Sequence, residues 1–532
     1  MRGQCLLGTR IRTAFLLGTI LGACLLVVPM SKGAAAPSPF AVLHSFVGGA
    51  NDGAVPTYGT SLAASGTTLY GVTQSGGTSS NGVLFKINSN GSGYAILHVF
   101  NGYTLFLNPS GAKNDGAIAT GTPVILGPTL YGMTTQGGSN GLGTIFRINT
   151  DGNGFQVMHH FGSQNDGALP WGSLTLSGTT LYGMTPSGGS NSSQGTIFKI
   201  ETSGDGYQVL HNFSTQNEGL DALGSVVVSG STLYGMTRFA GAFGLGVIFK
   251  MNTDGGGFQV LHTFTGIATD GSHPYDSLLL DGSTLYGTTY AGGANNAGTV
   301  FRIETGGNGF QILHNFALNE GYQPFGNVTL VGSNLFGMTH LGGSNSLGGG
   351  VLFRVSTNGS SYAVLHVFKF PIVANDGIFP FGSLLYLDSA LYGMTSLGGG
   401  NKNQGLVFSY KLGAGSTVPG TPILGGAFSS LKEVCKTKRG ALSCVFSAVL
   451  TIQNSGTAVS LPNNLRYFFS ADSAFDPGVD VQFGTKKLAK IKAAKFKKLR
   501  LKAKTTESTA GNYLLAVDDS GTVLASTLLG AQ

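Results

Sequence analysis

Apolar and polar positions alternate along this chain in short runs, each stopped by Gly, Ser, Asn or Asp. Between Pro170 and Phe213 there are four: Gly172–Leu176, Thr180–Thr185, Gly195–Ile200 and Tyr207–Phe213. Period-two runs rich in β-branched and aromatic residues and bounded by turn residues predict strands. The turns are explicit at Ser177-Gly178, Gly188-Gly189 and Ser203-Gly204. The same set then recurs. A Leu-aromatic-Gly element stands at Leu69, Leu130, Leu181, Leu233, Leu285, Leu335 and Leu391. A spacing of about 50 residues is the signature of a repeat architecture, and four antiparallel strands per unit predict propeller blades.

The phase of the repeat predicts how the ring closes. The fourth strand type, marked by a histidine, first occurs at 42–46, before any complete unit, and recurs at His98, His159, His211, His262, His314 and His366. The last unit ends at Leu406–Tyr410 without one. Residues 39–46 are therefore expected to complete the last blade as its outer strand. The fold class is all-β: a seven-bladed propeller with 3+1 closure, spanning 37–411. Closure removes the edges that an open array would expose.

Composition agrees with a β protein turned by glycine. There are 87 glycines in 532 residues, and only 10% of residues are charged, well below the usual quarter or so. The first 36 residues read as a signal peptide: Arg2, Arg10 and Arg12, then an apolar stretch Ala14–Val28, then Gly33-Ala34-Ala35-Ala36. The chain is thus expected to be secreted or placed at the cell surface, with no transmembrane segment in its mature form. Lipoprotein processing at Cys24 is the alternative.

The iterated LHxF, acidic-Gly, LYGxT, GG and GxxFKI elements between about residues 40 and 411 resemble the GloVer tandem repeats of exported bacterial proteins. Leu335-Phe336 departs from Leu-Tyr, and an insertion near Gly102–Lys113 lengthens one loop. The resemblance implies the fold but no particular chemistry, and its members differ in how the C-terminus is attached to the cell.

After a Gly/Pro/Ser/Thr linker at 412–422 the composition shifts. Residues 423–532 carry 15 Lys/Arg against 7 Asp/Glu, whereas 37–422 carry 11 against 16. Strand signals at Val445–Gln453, Leu465–Ser470, Leu499–Ala503 and Tyr513–Val517 predict an immunoglobulin-like sandwich. Ile452–Gly456, Tyr467–Asp472 and Ala510–Tyr513 resemble CARDB-type modules, which implies a spacer or adhesion role. Cys435 and Cys444 flank a turn, so a cross-hairpin disulfide is expected. No sorting motif or apolar tail precedes Gln532, so attachment through the C-terminus is not expected.

Five candidate ligand-binding residues, Tyr58, Trp171, Tyr275, Phe325 and Phe381, follow prolines at the start of the innermost strand, near one mouth of the channel. Aromatics there would stack on sugar rings or other flat ligands; the alternative is that they cap blade packing. Asp221 and Asp276 break the repeat near the same mouth and would be the carboxylates of a glycosidase-like reading. The register histidines lie one per blade, too far apart to share an ion, and are assigned to pairing within each blade. The acidic residues before glycine (Asp52, Asp115, Asp166, Glu218, Asp270, Glu320 and Asp376) are assigned to turns in which Gly supplies positive φ and Asp bonds its own backbone. Ca²⁺ binding there is the alternative and the one cofactor considered.

The run Lys486–Lys504 holds ten Lys/Arg. Read as a strand it is a solvated face. Otherwise Lys490, Lys492, Lys495, Lys497, Lys498 and Arg500 contact an anionic surface such as acidic polysaccharide or lipid headgroups. Nucleic acid is not an expected partner, and the chain is expected to be a monomer. No P-loop, HExxH, CxxC pair or nucleophile elbow occurs. Three functions remain: a carbohydrate-binding or scaffold propeller, a carbohydrate-active enzyme working at the channel mouth, and a purely structural matrix protein.

Overall fold

The computed structural model describes residues 38–413, except 57–58, 103–114, 163–164, 191–193, 214–216, 344–347, 371–375 and 401, and beyond these the strands between 424 and 528. The leader with Cys24, most of the linker, Tyr58, Lys490 and Lys492 lie outside the described residues.

Seven four-stranded antiparallel sheets form the propeller. In the third blade the strands Thr175–Ser177, Thr180–Thr185, Thr196–Glu201 and Gln208–Asn212 lie side by side in chain order, from the channel outward. The seventh blade has Leu385–Leu387, Ala390–Thr395 and Leu406–Lys411, and its fourth strand is Phe40–Ser45, paired antiparallel with Leu406–Lys411. The ring closes 3+1, as the phase of the repeat requires.

The repeat motif has a packing reason. The glycine of Leu-Tyr-Gly lies under the phenylalanine of the third strand: a Cβ on Gly71 would sit 2.6 Å from Phe85 Cζ. The leucine and tyrosine before it, and that phenylalanine, are buried in every blade but the sixth, where Phe336 takes the tyrosine position. The glycine after the acidic residue was expected to supply positive φ. At Gly53, Gly167, Gly271 and Gly377 it does not. Those glycines are needed because the threonine of LYGxT crowds them, with Thr73 Cγ2 2.7 Å from a Cβ placed on Gly53.

Histidine and acid, read separately from the sequence, form one device. Each register histidine faces the acidic residue of the loop that follows it. The Nε2–carboxylate distances are 3.0–3.1 Å for Asp52, Asp166, Asp270 and Asp376, and 3.2–3.6 Å for Asp115, Glu218 and Glu320. The imidazole also stacks on an aromatic ring at the start of the next blade's outer strand. His98 lies on Phe155 with centroids 3.7 Å apart, and His159 on Tyr207 at the same distance. Asp166 further accepts hydrogen bonds from Gly162 N at 2.8 Å, Gly167 N at 2.7 Å and the Tyr207 hydroxyl. Burial alone would raise its carboxyl; the bonds from His159 and Tyr207 outweigh that and hold it below the ordinary value. Seven such clasps fasten blade to blade around the rim.

Beyond the propeller, strands 424–438, 441–454 and 495–505 form one antiparallel sheet, and 463–470, 481–488, 513–517 and 523–528 another. Their register sets Cys435 opposite Cys444. The basic run is strand over 481–488 and 495–505.

Candidate functional site

Antiparallel order puts the start of the first strand, the end of the second and the end of the fourth at one end of every blade. The loops at this end surround one mouth of the channel. In the second to seventh blades the residue three before the inner-strand glycine position sits at positive φ although it is not glycine; Asp221 has φ 63° and His273 φ 55°. Such strain turns the chain sharply into the inner strand and fixes the side chains that follow. Backbone bonds support the bend: Arg238 N donates to Asp221 O at 3.2 Å, and Tyr290 N to His273 O at 3.1 Å.

At the mouth a cavity of about 430 Å³ is lined by Gly59, Trp171, Asp221, Leu223, Arg238, Tyr275, Asp276, Tyr290 and Phe325. Three of the expected aromatics, Trp171, Tyr275 and Phe325, therefore line one cavity. Phe381 stands behind them, 5.0 Å from Phe325. Tyr275, Tyr290 and Phe325 form a wall with centroids 4.8–5.2 Å apart at tilted and edge angles, an arrangement that aromatic quadrupoles favour.

Arg238 is the polar centre. Its guanidinium pairs with Asp221, donates to the Tyr275 hydroxyl at 3.1 Å, and lies over the Phe239 and Tyr275 rings at 4.1 and 5.0 Å. Burial raises the Asp221 carboxyl, while Arg238 pulls it the other way. Because Tyr275 accepts from Arg238, its own proton is left to donate, and the polarised hydroxyl is the stronger donor for it.

Asp276 lies on the cavity floor, at the boundary with a second cavity of about 350 Å³ inside the channel. Its place in the repeat explains it. Across several blade junctions an inner-strand N–H donates to the next blade's serine: Thr122 to Ser173 and Ser173 to Ser225, both at 2.7 Å, and Ser225 to Ser277 at 2.9 Å. In the sixth blade asparagine replaces that serine, and Asp276 fills the break. It accepts from Ser277 N, Ser277 Oγ, Asn327 N and Ser383 Oγ at 2.7–2.9 Å. Burial raises its carboxyl despite these four donors.

Among the described residues no group of three or more His, Cys, Asp or Glu is placed to hold a metal ion. The clasp carboxylates considered for Ca²⁺ spend their oxygens on imidazole and backbone N–H, as Asp52 does with His44, Val47 N and Gly53 N.

The family model for the Gloeobacter/Verrucomicrobia repeat matches residues 103–290 and 229–419. The chain belongs to the Gloeobacter/Verrucomicrobia repeat family. No curated protein matches the sequence. Among solved structures it is similar to an oligogalacturonate lyase in complex with manganese, at 10% identity over 66% of this chain and 87% of the other, with a TM-score of 0.41. It is also similar to a chain of a nidogen/laminin complex, at 13% identity over 54% and 90%, with a TM-score of 0.35. Likeness at this level carries no functional argument.

The repeat frame shows what sequence reasoning missed. Arg238, Tyr290 and His340 follow LYGxT directly, a position held elsewhere by Gln74, Thr135, Pro186 and Ser396. The invariant positions build blades. The position that changes from copy to copy faces the mouth, and that variability was the available signal. His340 lies 4.1 Å from Phe381 and 5.1 Å from Phe325, and burial lowers its imidazole to about 4.

Proposed function

We propose that the propeller is an exported binding module that takes a carbohydrate at this mouth. One observation carries the reading: an aromatic wall, a polarised tyrosine hydroxyl and an Arg–Asp pair converge in a single cavity, on one sector of an otherwise repetitive ring. Flat rings stack on the C–H face of a sugar, and fixed polar groups select its hydroxyls. Glycan-array binding tests it. Binding that Trp171→Ala and Tyr290→Ala each reduce at least ten-fold supports the site; binding unaffected by both places the ligand elsewhere.

A second reading, an enzyme acting on carbohydrate, is favoured by one detail. Asp221 and Asp276 share the cavity and burial raises both carboxyls, the direction that suits a general acid. Released sugar that disappears in Asp221→Asn or Asp276→Asn would establish it.

The C-terminal strands, three and four to a sheet, support an immunoglobulin-like or CARDB-like module acting as spacer or surface contact. The facing positions of Cys435 and Cys444 support a disulfide within it. Thiol titration of the unreduced chain distinguishes bridged from free cysteines.

A further inference from the structure

Seven large hydrophobic side chains are exposed among the described residues, and six of them, Val47, Phe239, Phe243, Ile267, Leu318 and Phe370, lie in loops at the mouth end. Phe243 is 61% exposed, Ile267 59% and Phe370 50%. They project from loops of the fourth to seventh blades and of the junction with the first, Phe239 and Phe243 from one loop and the rest singly, on the end that holds the cavity. Exposed apolar groups gathered on one face mark an interaction surface.

The exposed acids among the described residues, by contrast, are confined to the other end. At the mouth end no described Asp or Glu is exposed: the seven clasp acids are turned onto their histidines, Asp221 onto Arg238, and Asp276 onto Ser277, Asn327 and Ser383. Lys369 and Lys402 are exposed there. The exposed acids Asp151, Asp205, Asp254, Asp281 and Asp388 all occupy turns at the other end. The mouth end therefore carries exposed apolar side chains and lysines without a described exposed acid, whereas the other end mixes its exposed acids with the exposed Lys411 and the half-buried Lys86, Arg147, Lys199, Lys250, Arg302 and Arg354 of the third strands.

We infer that the mouth end docks on an anionic lipid surface, with single apolar side chains seated between headgroups and the two lysines beside phosphates. Separate protruding side chains suit a deformable headgroup layer, where burial of each apolar group adds to electrostatic attraction. The apolar side chains, confined to the mouth end, set the orientation, and the cavity then opens toward the lipid. This inference stands independently of the glycan reading.

The test is flotation of the purified chain with vesicles of phosphatidylcholine, with and without phosphatidylglycerol. The fluorescence of Trp171, the single tryptophan and a residue of the cavity, is read with lipids bearing a headgroup nitroxide. The chain floats with the anionic vesicles only, Trp171 is quenched, and Phe243→Ser/Phe370→Ser lowers the bound fraction at least ten-fold with Tm unchanged. No flotation overturns the inference. Flotation without quenching, or undiminished in the double variant, also overturns it and assigns lipid contact to another part of the chain, such as the strand carrying Lys498 and Arg500. Self-association lost in the double variant makes the face an interface with a second copy instead. Tyr290→Ala separates the two proposals, because it removes glycan binding and leaves flotation intact.

Discussion

Phe40 lies face to face on His366, with ring centroids 4.1 Å apart and planes 1° from parallel. The N-terminal strand thus contributes more than a ladder to the last blade. It supplies the aromatic of the clasp between the sixth and seventh blades, the seat that Tyr94 or Phe155 fills elsewhere. Phe40→Ala is expected to cost about 2–3 kcal/mol, below the roughly 3–5 kcal/mol of fully buried phenylalanine truncations because the ring is half-buried. It should also free the strand: limited proteolysis would cut before residue 46 ahead of any other site. A cleavage pattern matching the wild type would show that the ladder with Leu406–Lys411 alone holds the closure.

The clasp acids make stability depend on acid pH. Bonds from histidine and backbone outweigh burial at Asp52, Asp166 and Asp270 and hold their carboxyls below 3.8. The unfolded chain therefore binds these protons first as pH falls. Their contribution is complete above about pH 4 and is lost as pH drops through the lower folded values. Asp166→Asn is expected to cost about 1–3 kcal/mol at pH 7, since it weakens the bonds to His159 and the backbone. The penalty shrinks toward pH 3, which urea unfolding at both pH values will measure.

The buried imidazole of His340 acts at milder acidity. Its folded value of about 4 lies below the ordinary 6.5, so the unfolded chain takes up this proton first. Stability from His340 is complete above pH 6.5 and declines as pH falls toward 4. Tm measured between pH 7.5 and 4.5 should fall less steeply in His340→Phe than in the wild type; equal slopes would contradict the assignment.

Arg238 and Asp221 depend on each other. Arg238→Ala leaves a half-buried carboxylate without its partner and is expected to cost about 1–3 kcal/mol, less than a fully buried pair because both side chains keep some solvent. Arg238→Ala/Asp221→Ala should recover part of that loss, and a double-mutant cycle reads the coupling directly. Additive effects would mean that the ion pair contributes nothing.

The repeat by itself determined the architecture. Strand type, blade number and the 3+1 closure follow from period and phase, because each blade is a local unit whose strands pair with sequence neighbours and whose one misplaced copy, at 42–46, has a single vacancy to fill. The second strand, Thr180–Thr185, matched to the residue, since β-branched alternation and flanking glycines leave little choice there. What the tertiary structure decided lies between blades. His98 meets Phe155 and Arg238 meets Tyr275 across tens of residues, and no local propensity encodes such distances. Glycines assigned to turns after the clasp acids, such as Gly53, proved to be seats for a threonine such as Thr73. Asp276, legible only as a break in the pattern, is explained by an asparagine in the next blade. The mouth took shape where the copies differ: burial constrains the repeated positions to pack, and leaves the varied ones, gathered by ring closure, to form the site.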